Sequence, residues 1–183
     1  MSSRTTVLVP APTARLVFNL WSTEHRPLAL ALWGDPRVSA LIVGPFSEAK
    51  ARERLEMELA QQRLHGVQYW PIFLKEGSEH VGCCGLRPYD LPRGVYELGF
   101  QLRAEHWGKG LATEAARSVI KYAFETLGAL GLFAGHHPQN SSSKRVLEKL
   151  GLRYTHDQLY PPTGLQHPSY LLTLDEYRAA ARK

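Results

Sequence analysis

A strand-like segment that runs into a glycine pair and straight on into a helix constrains this chain more than any other feature. Val95–Arg103 alternates, so that Tyr96, Leu98, Phe100 and Leu102 share one face while Val95, Glu97, Gly99 and Gln101 share the other. Trp107-Gly108-Lys109-Gly110-Leu111-Ala112 follows. A helical pattern then runs from about Gly110 to Leu127, with Leu111, Ala115, Val119, Tyr122 and Ala123 at helical spacing and Gly128 as the stop. Two glycines one residue apart let the backbone turn tightly with no Cβ in the way. The N–H groups of the helix's first turn converge there and the macrodipole adds partial positive charge, which suits a phosphate or pyrophosphate. Lys109 adds a full charge. Two familiar nucleotide fingerprints fail: the third glycine of the dinucleotide pattern falls on Thr113, and the phosphate-loop pattern needs Ser or Thr where Gly110 stands. A bare turn into a helix is the competing meaning of Gly-x-Gly alone.

The remaining pattern gives the order of elements. Ala14–Leu20 alternates weakly as a first strand. Ser22 or Thr23 caps a helix over Glu24–Trp33, which ends at Gly34-Asp35-Pro36, and a longer helix spans Ser47 to His65 with Gly66 at its C-cap. Val67–Leu74 and His80–Arg87 read as strands joined by a turn at Gly77, and Tyr89–Gly94 reads as a loop before Val95–Arg103. Gly131–His136 is a short strand and Asn140–Leu150 a helix closed by Gly151. Leu152–Thr155 and Ser169–Leu174 are the last strands, joined by a Pro-rich loop, His156–Pro168. Two helices, three antiparallel strands and then β-α-β-α-β-β predict a mixed α/β (α+β) layer fold. One domain is expected from about Thr13 to Lys183, with residues 1–12 a loose start or an edge strand. A chain of 183 residues buries enough surface to need no disulfide or metal staple.

Composition enters where it excludes classes of function. The longest apolar runs, Leu28–Trp33 and Val67–Leu74, fall well short of the roughly 18–20 residues that span a bilayer. Pro10 and Pro12 interrupt an N-terminus that has no sustained apolar stretch, so no secretory signal and no membrane partner are expected. The two cysteines, Cys83 and Cys84, are neighbours pointing to opposite faces, which excludes a disulfide framework and a Cys-based zinc site. A reducing, cytoplasmic setting and no metal follow as expectations. His136 and His137 close a strand where a site should lie, and a near-neutral pKa makes His137 a lesser candidate base. A net charge of +5 admits nucleic acid or an anionic ligand. The chain has no run of five Lys or Arg and no basic-aromatic stripe, so nucleic acid ranks last among its partners.

Several spaced motifs then agree. Glu97-Leu98-Gly99-Phe100, His106-Trp107-Gly108-Lys109-Gly110-Leu111-Ala112-Thr113-Glu114-Ala115, Tyr122-Ala123-Phe124, Pro138-Gln139-Asn140 with Ser143, and Val146-Leu147-Glu148-Lys149-Leu150-Gly151 stand in order between Glu97 and Leu152. This segment resembles the core of the Gcn5-related N-acetyltransferases (GNAT), in the branch similar to ribosomal-protein-alanine acetyltransferases. The resemblance implies an acyl-CoA N-acyltransferase fold, with a central, mostly antiparallel, splayed sheet flanked by helices. It also implies acetyl-CoA as co-substrate, with its pyrophosphate on the N–H groups of Trp107, Gly108, Lys109, Gly110, Leu111 and Ala112. Trp107 stands where the general fingerprint has Gln or Arg. By the same resemblance Gln101, Leu102 and Arg103 run alongside the pantetheine, and Asn140 faces the cofactor arm. Lys109 and Arg103 would lie beside the pyrophosphate, and Lys144 or Arg145 near the 3′-phosphate.

The implied reaction is direct attack by a primary amine, either a protein N-terminal α-amine or a small molecule, in a ternary complex. The amine must be neutral to attack. Deprotonation at pH 7 costs about 1 kcal/mol for an α-amine and about 4–5 for a lysine. A weak base therefore serves an N-terminal amine, and Glu97 is the candidate; its alternative is a strand carboxylate paired with an arginine. The tyrosine that many relatives use to protonate the leaving thiolate falls on Leu147. Ser143, one turn earlier, is the substitute, against a plain role as a first-turn helix serine; Tyr154 and Tyr160 are looser choices. Backbone N–H near Leu102 would hold the developing oxyanion. A non-catalytic acetyl-CoA-binding or ribosome-associated module is the alternative, and Leu147 speaks for it. The segment from Trp33 to Phe46 and the loop His156–Pro168 would grip the acceptor, and a homodimer stays open.

Overall fold

The computed structural model describes residues 9–44 and 46–182. The expected loose segment is thus testable only from Val9, and residues 9–13 have no regular structure. Seven strands form one sheet in the order β1-β2-β3-β4-β5-β7-β6. They are β1 (Leu16–Phe18), β2 (Tyr69–Leu74), β3 (His80–Asp90), β4 (Val95–Leu102), β5 (Gly131–Gly135), β6 (Arg153–Tyr160) and β7 (Leu165–Thr173). Every neighbouring pair is antiparallel except β4 with β5. The helices are α1 (Arg26–Trp33), α2 (Pro36–Ser39), α3 (Glu48–His65), α4 (Leu111–Glu125), α5 (Ser141–Lys149) and α6 (Leu174–Ala181). This is the mixed, mostly antiparallel sheet flanked by helices that the sequence predicts.

Strand alternation divides the interior into two cores. On one face Trp70, Cys84, Leu86, Leu98, Leu102 and Leu132 meet the apolar stripe of α4, which buries Leu111, Ala115, Val119 and Ala123. On the other face Tyr69 and Cys83 meet Trp21, Trp33 and Leu55 from the segment before β2. Ser47 starts α3 by accepting the Lys50 N–H at 3.2 Å, and Gly66 ends it with φ +69°. Ala51, Leu55 and Glu58 of α3 are buried, and Glu58 fixes the helix to β2 through the Tyr69 N–H and to β3 through Arg87.

The parallel contact of β4 with β5 is short. It pairs Val95 with Gly131, Tyr96 with Leu132 and Glu97 with Phe133, and stops there. Leu98–Leu102 remain bonded to β3 but have no partner on β5. The sheet therefore splays at Glu97, and a strand edge of unmatched backbone groups opens toward the head of α4.

Four sequence expectations are corrected. The helix over Glu24–Trp33 begins as a 3-10 turn, Thr23–His25, before α1. Gly34-Asp35-Pro36 does not only stop α1: Asp35 accepts the Arg37 N–H at 2.9 Å and caps α2, with Pro36 at the first helical position. The loop His156–Pro168 is a hairpin, because β6 runs to Tyr160, β7 starts at Leu165, and His156 pairs with Ser169. The loop Tyr89–Gly94 is mostly strand end and 3-10 turn, since β3 continues to Asp90 through a bulge at Tyr89. The chain also continues past β7 into α6, a helix absent from the expected order of elements.

Candidate active site

At the head of α4, Gly108 and Gly110 have φ +73° and +76°, the left-handed region that a side chain resists. Gly110 caps α4 without any side-chain hydrogen bond to its first turn. Among the described residues, none of the backbone N–H groups from Gly108 through Thr113 has an acceptor. Six consecutive donors thus surround the positive end of a four-turn helix, a geometry suited to an oxyanion. Trp107 anchors the loop by donating from Nε1 to the Leu102 carbonyl at 2.8 Å, and its ring stays half exposed.

A clamp that sequence reasoning missed holds this loop in place. Arg15, just before β1, donates to the Lys109 carbonyl at 3.0 Å and to Glu114 Oε2 at 2.7 Å. Glu114 in the first turn of α4 also accepts from the Thr13 hydroxyl at 2.6 Å and from the Arg15 N–H at 2.8 Å. Arg103, expected beside the pyrophosphate, has its guanidinium engaged by Glu105 at 2.6 Å and reaches the His80 carbonyl at 3.5 Å. Arg15 is a cation fixed at the loop, itself paired with Glu114 at 2.6 Å. No sequence motif marks it, since ninety-four residues separate it from Lys109.

Asn140 and Ser143 stand together at the head of α5, the Asn140 side-chain Oδ1 accepting the Ser143 N–H at 3.0 Å. Asn140 is therefore a helix cap, and Ser143 is the first-turn serine of the plainer reading. Its hydroxyl carries no hydrogen bond among the described residues and is free to serve an incoming group. Leu147 is 1% exposed and packs in the α4-side core. Lys144 and Arg145 lie exposed on α5, Lys144 within 3.9 Å of Glu148 and Arg145 bonded to Ser142 at 3.3 Å.

Glu97 sits where β4 and β5 part, on the face opposite α4. Burial raises its pKa, opposed by Arg87, Arg54 and a hydrogen bond from the Tyr69 hydroxyl. Arg87 is its direct neighbour on β3. Tyr69 lies across Gly99, where a Cβ would fall 2.2 Å from its ring and hydroxyl. The Tyr69 hydroxyl is itself held protonated by burial, with Glu97 adding to the upward shift. Beneath them the fully buried Glu58 accepts the Tyr69 N–H at 2.8 Å and Arg54 Nε at 3.0 Å, and pairs with Arg87. Both readings of Glu97 thus meet in one place: a carboxylate close to arginines whose first commitment is to Glu58. Gln101, two positions beyond Gly99 on this face, accepts from Trp33 Nε1 at 2.6 Å and is turned toward α1 rather than the open edge.

His136 is buried and its Nδ1 lies 2.8 Å from the His137 carbonyl. His137 Nδ1 accepts the Gln139 N–H at 3.2 Å, so the lesser candidate base is occupied by a turn. Among the described residues no group of three or more His, Cys, Asp or Glu side chains is placed to hold a metal ion, and no helix is long and apolar enough to cross a membrane.

A splayed sheet with an anion cradle at the mouth of the splay defines a class, the N-acetyltransferases, and comparison with known proteins agrees. The Acetyltransferase (GNAT) domain family matches residues 15–153. An uncharacterized N-acetyltransferase of Bacillus licheniformis, p20, is 31% identical over 144 residues, covering 77% of this chain and 80% of that protein. An acetyltransferase of the GNAT family from Bacillus anthracis superposes with a TM-score of 0.79 at 22% identity, over 92% of this chain and all of that one. RimL, a ribosomal L7/L12 α-N-protein acetyltransferase solved in complex with coenzyme A, superposes with a TM-score of 0.77 at 12% identity, over 92% and 99% of the two chains. The chain belongs to the GNAT family and is an N-acetyltransferase.

Proposed function

We propose that this enzyme moves the acetyl group of acetyl-CoA to a primary amine by direct attack within a ternary complex, acting as one domain in the reducing cytoplasm. The observation that carries the reading is the run of six unpaired N–H groups from Gly108 to Thr113 beside the unpaired edge of β4. A pyrophosphate supplies oxygens for the first, and an amide-bearing pantetheine arm pairs with the second as an added strand. In this reading the N–H groups of Gly108, Lys109, Gly110, Leu111 and Ala112 hold the pyrophosphate, while Trp107, whose own N–H donates to the Ala104 carbonyl at 3.2 Å, positions the loop. Gln101, Leu102 and Arg103 line the arm through their backbone, and Asn140 and Ser143 meet it from α5. The coenzyme A bound by RimL supports the same donor.

The donor brings an activated acetyl group, and the protein supplies position and proton handling. Glu97 accepts the proton of the attacking amine, directly or through one water. Its raised pKa brings the carboxylate nearer the ammonium it must deprotonate. Backbone N–H near Leu102 takes up charge growing on the carbonyl oxygen. The Ser143 hydroxyl donates to the departing sulfur, a part that Leu147 lacks the chemistry to play. The second reading, an acetyl-CoA-binding module without turnover, rests on that same leucine.

Thiol release from acetyl-CoA with a panel of primary amines tests the proposal. Intersecting double-reciprocal lines are expected, and parallel lines would replace direct attack by an acetylated enzyme. Glu97→Gln should lower kcat about a hundredfold at pH 7 and remove the acid limb of the pH profile. A variant that keeps both rate and limb would end the general-base role, and tight CoA binding without any turnover would favour the second reading.

A further inference from the structure

The Glu97 face of the sheet carries an aromatic pair that the reaction as described does not use. Phe133 of β5 stands in register with Glu97, at the last matched position before the splay, so both side chains project from the same face. Tyr89, the bulged residue of β3, stacks on Phe133 with ring centroids 3.9 Å apart and planes within 9° of parallel. The Phe133 ring leans toward the splay, since its Cζ lies 3.6 Å from where a Cβ on Gly135 would be. Gly135 itself leaves that stretch of floor bare. Tyr89 keeps 45% of its surface exposed, so a flat apolar surface remains uncovered one residue from the proposed base.

The β6–β7 hairpin also reaches this surface. The Tyr89 hydroxyl donates to Gln158 of β6 at 3.1 Å. In the sheet order β6 lies four places from β3, which in a flat sheet means about 19 Å. Side chains alone do not span that, so the β6–β7 hairpin curls over the face and meets Tyr89. The Tyr89–Gln158 bridge thus brings β6 over the face that carries Phe133, Gly135 and Glu97, where a ring attached a few bonds from an amine can lie on the aromatic pair with the amine toward Glu97.

We infer that the acceptor of this enzyme is a small primary amine carrying an aromatic ring, the ring lying against the Tyr89–Phe133 pair while the amine faces Glu97. The inference rests on the acetyl-transfer reading and deepens it. Offset stacking and edge contacts give such an acceptor an advantage over an alkylamine of equal bulk, and Tyr89 is then a specificity-determining residue.

Two measurements test it on the intact protein. Steady-state rates with acetyl-CoA are compared for phenethylamine and 2-cyclohexylethylamine, with hexylamine and a short peptide bearing a free N-terminus alongside. Calorimetry follows binding of the first two amines to the protein saturated with CoA. The aromatic amine should exceed its saturated counterpart about tenfold in kcat/KM and in affinity. Tyr89→Ala should bring the ratio close to one while the KM for acetyl-CoA stays unchanged, and Tyr89→Leu, which keeps apolar bulk without a ring, should do the same. Turnover with equal rates for both amines, preference for the peptide, or a ratio that survives loss of the Tyr89 ring would overturn the inference and leave acetyl transfer standing. Ring-selective binding lost in Tyr89→Ala but without turnover would uphold the site and overturn the transfer reading. Neither binding nor turnover would overturn both.

Discussion

Tyr69 has almost no solvent contact, yet its hydroxyl reaches the one carboxylate placed at the parting of β4 and β5. Gly99 makes this possible, since any Cβ there would collide with the tyrosine ring. The hydroxyl favours the ionised form of Glu97 and burial favours the neutral one; burial prevails, and the pKa ends above its ordinary value. Tyr69→Phe removes the favourable contact and should raise the Glu97 pKa further. The acid limb of kcat/KM should therefore move to higher pH, with a several-fold fall in rate at pH 7 that recovers as the pH rises. A purely structural role for Tyr69 would instead lower the rate by one factor at every pH. Glu97 also bears on stability with a definite sign. A carboxyl whose folded pKa lies above its unfolded value destabilises the fold as pH rises through that interval. Glu97→Gln should consequently have a higher Tm than the native protein at neutral pH while losing activity, an outcome that thermal melts at pH 4 and pH 8 would check.

At the scale of elements, the donor site is a joint between the start of the chain and its middle. Arg15 ties the segment before β1 to the Lys109 carbonyl and to Glu114 in α4, so the cradle is held from outside the strand–loop–helix unit that forms it. Arg15→Ala should raise the KM for acetyl-CoA about tenfold with little change in kcat, as befits charge-assisted hydrogen bonds that position a binding loop. Arg15→Lys should recover part of the loss, and kcat and KM changing together would point to a general defect of folding. The contrast between cradle and clamp shows what the sequence could reveal. The glycine pair, the helix after it and the alternation of β4 are local signals, and they locate the donor site well. Arg15 meets Lys109 and Glu114, and Glu58 meets Tyr69 and Arg87, only through tertiary packing, which single-residue periodicity does not encode. The hairpin hid for another reason: all eight residues of β6 are exposed, so nothing alternates between buried and open. Pro161, Pro162 and Gly164 then make a strand turn look like part of a long loop. For α6 a signal existed, since Thr173 and Glu176 form a capping box.

For the molecule as a whole, the excess of positive charge no longer needs a polymeric partner. Arg103 is taken by Glu105, Arg54 and Arg87 by Glu58 and Arg15 by Glu114, while Lys109 sits where an anionic donor would lie. The weak point of such a fold under acid is a neutral group buried against aromatic rings. His80 is 4% exposed and packs between Trp21 and Phe73, at ring-centroid distances of 5.6 and 5.3 Å. Burial lowers its pKa to about 4, and the nearby charges of Arg103, His25 and His106 push the same way. Between that value and the ordinary one near 6.5 the unfolded chain binds a proton that the folded one refuses. Stability is thus complete above pH 6.5 and falls as the pH drops toward 4, by about 3 kcal/mol if His80 acts alone. His80→Phe keeps a ring among Trp21 and Phe73 and has nothing to protonate. Urea unfolding at pH 7, 5.5 and 4 should show the native protein losing stability steadily across this range and the variant losing much less of it. Equal losses in both would take the acid sensitivity between pH 7 and 4 away from His80, since the lowered pKa values of Asp35 and Glu114 place their own contribution below about pH 4.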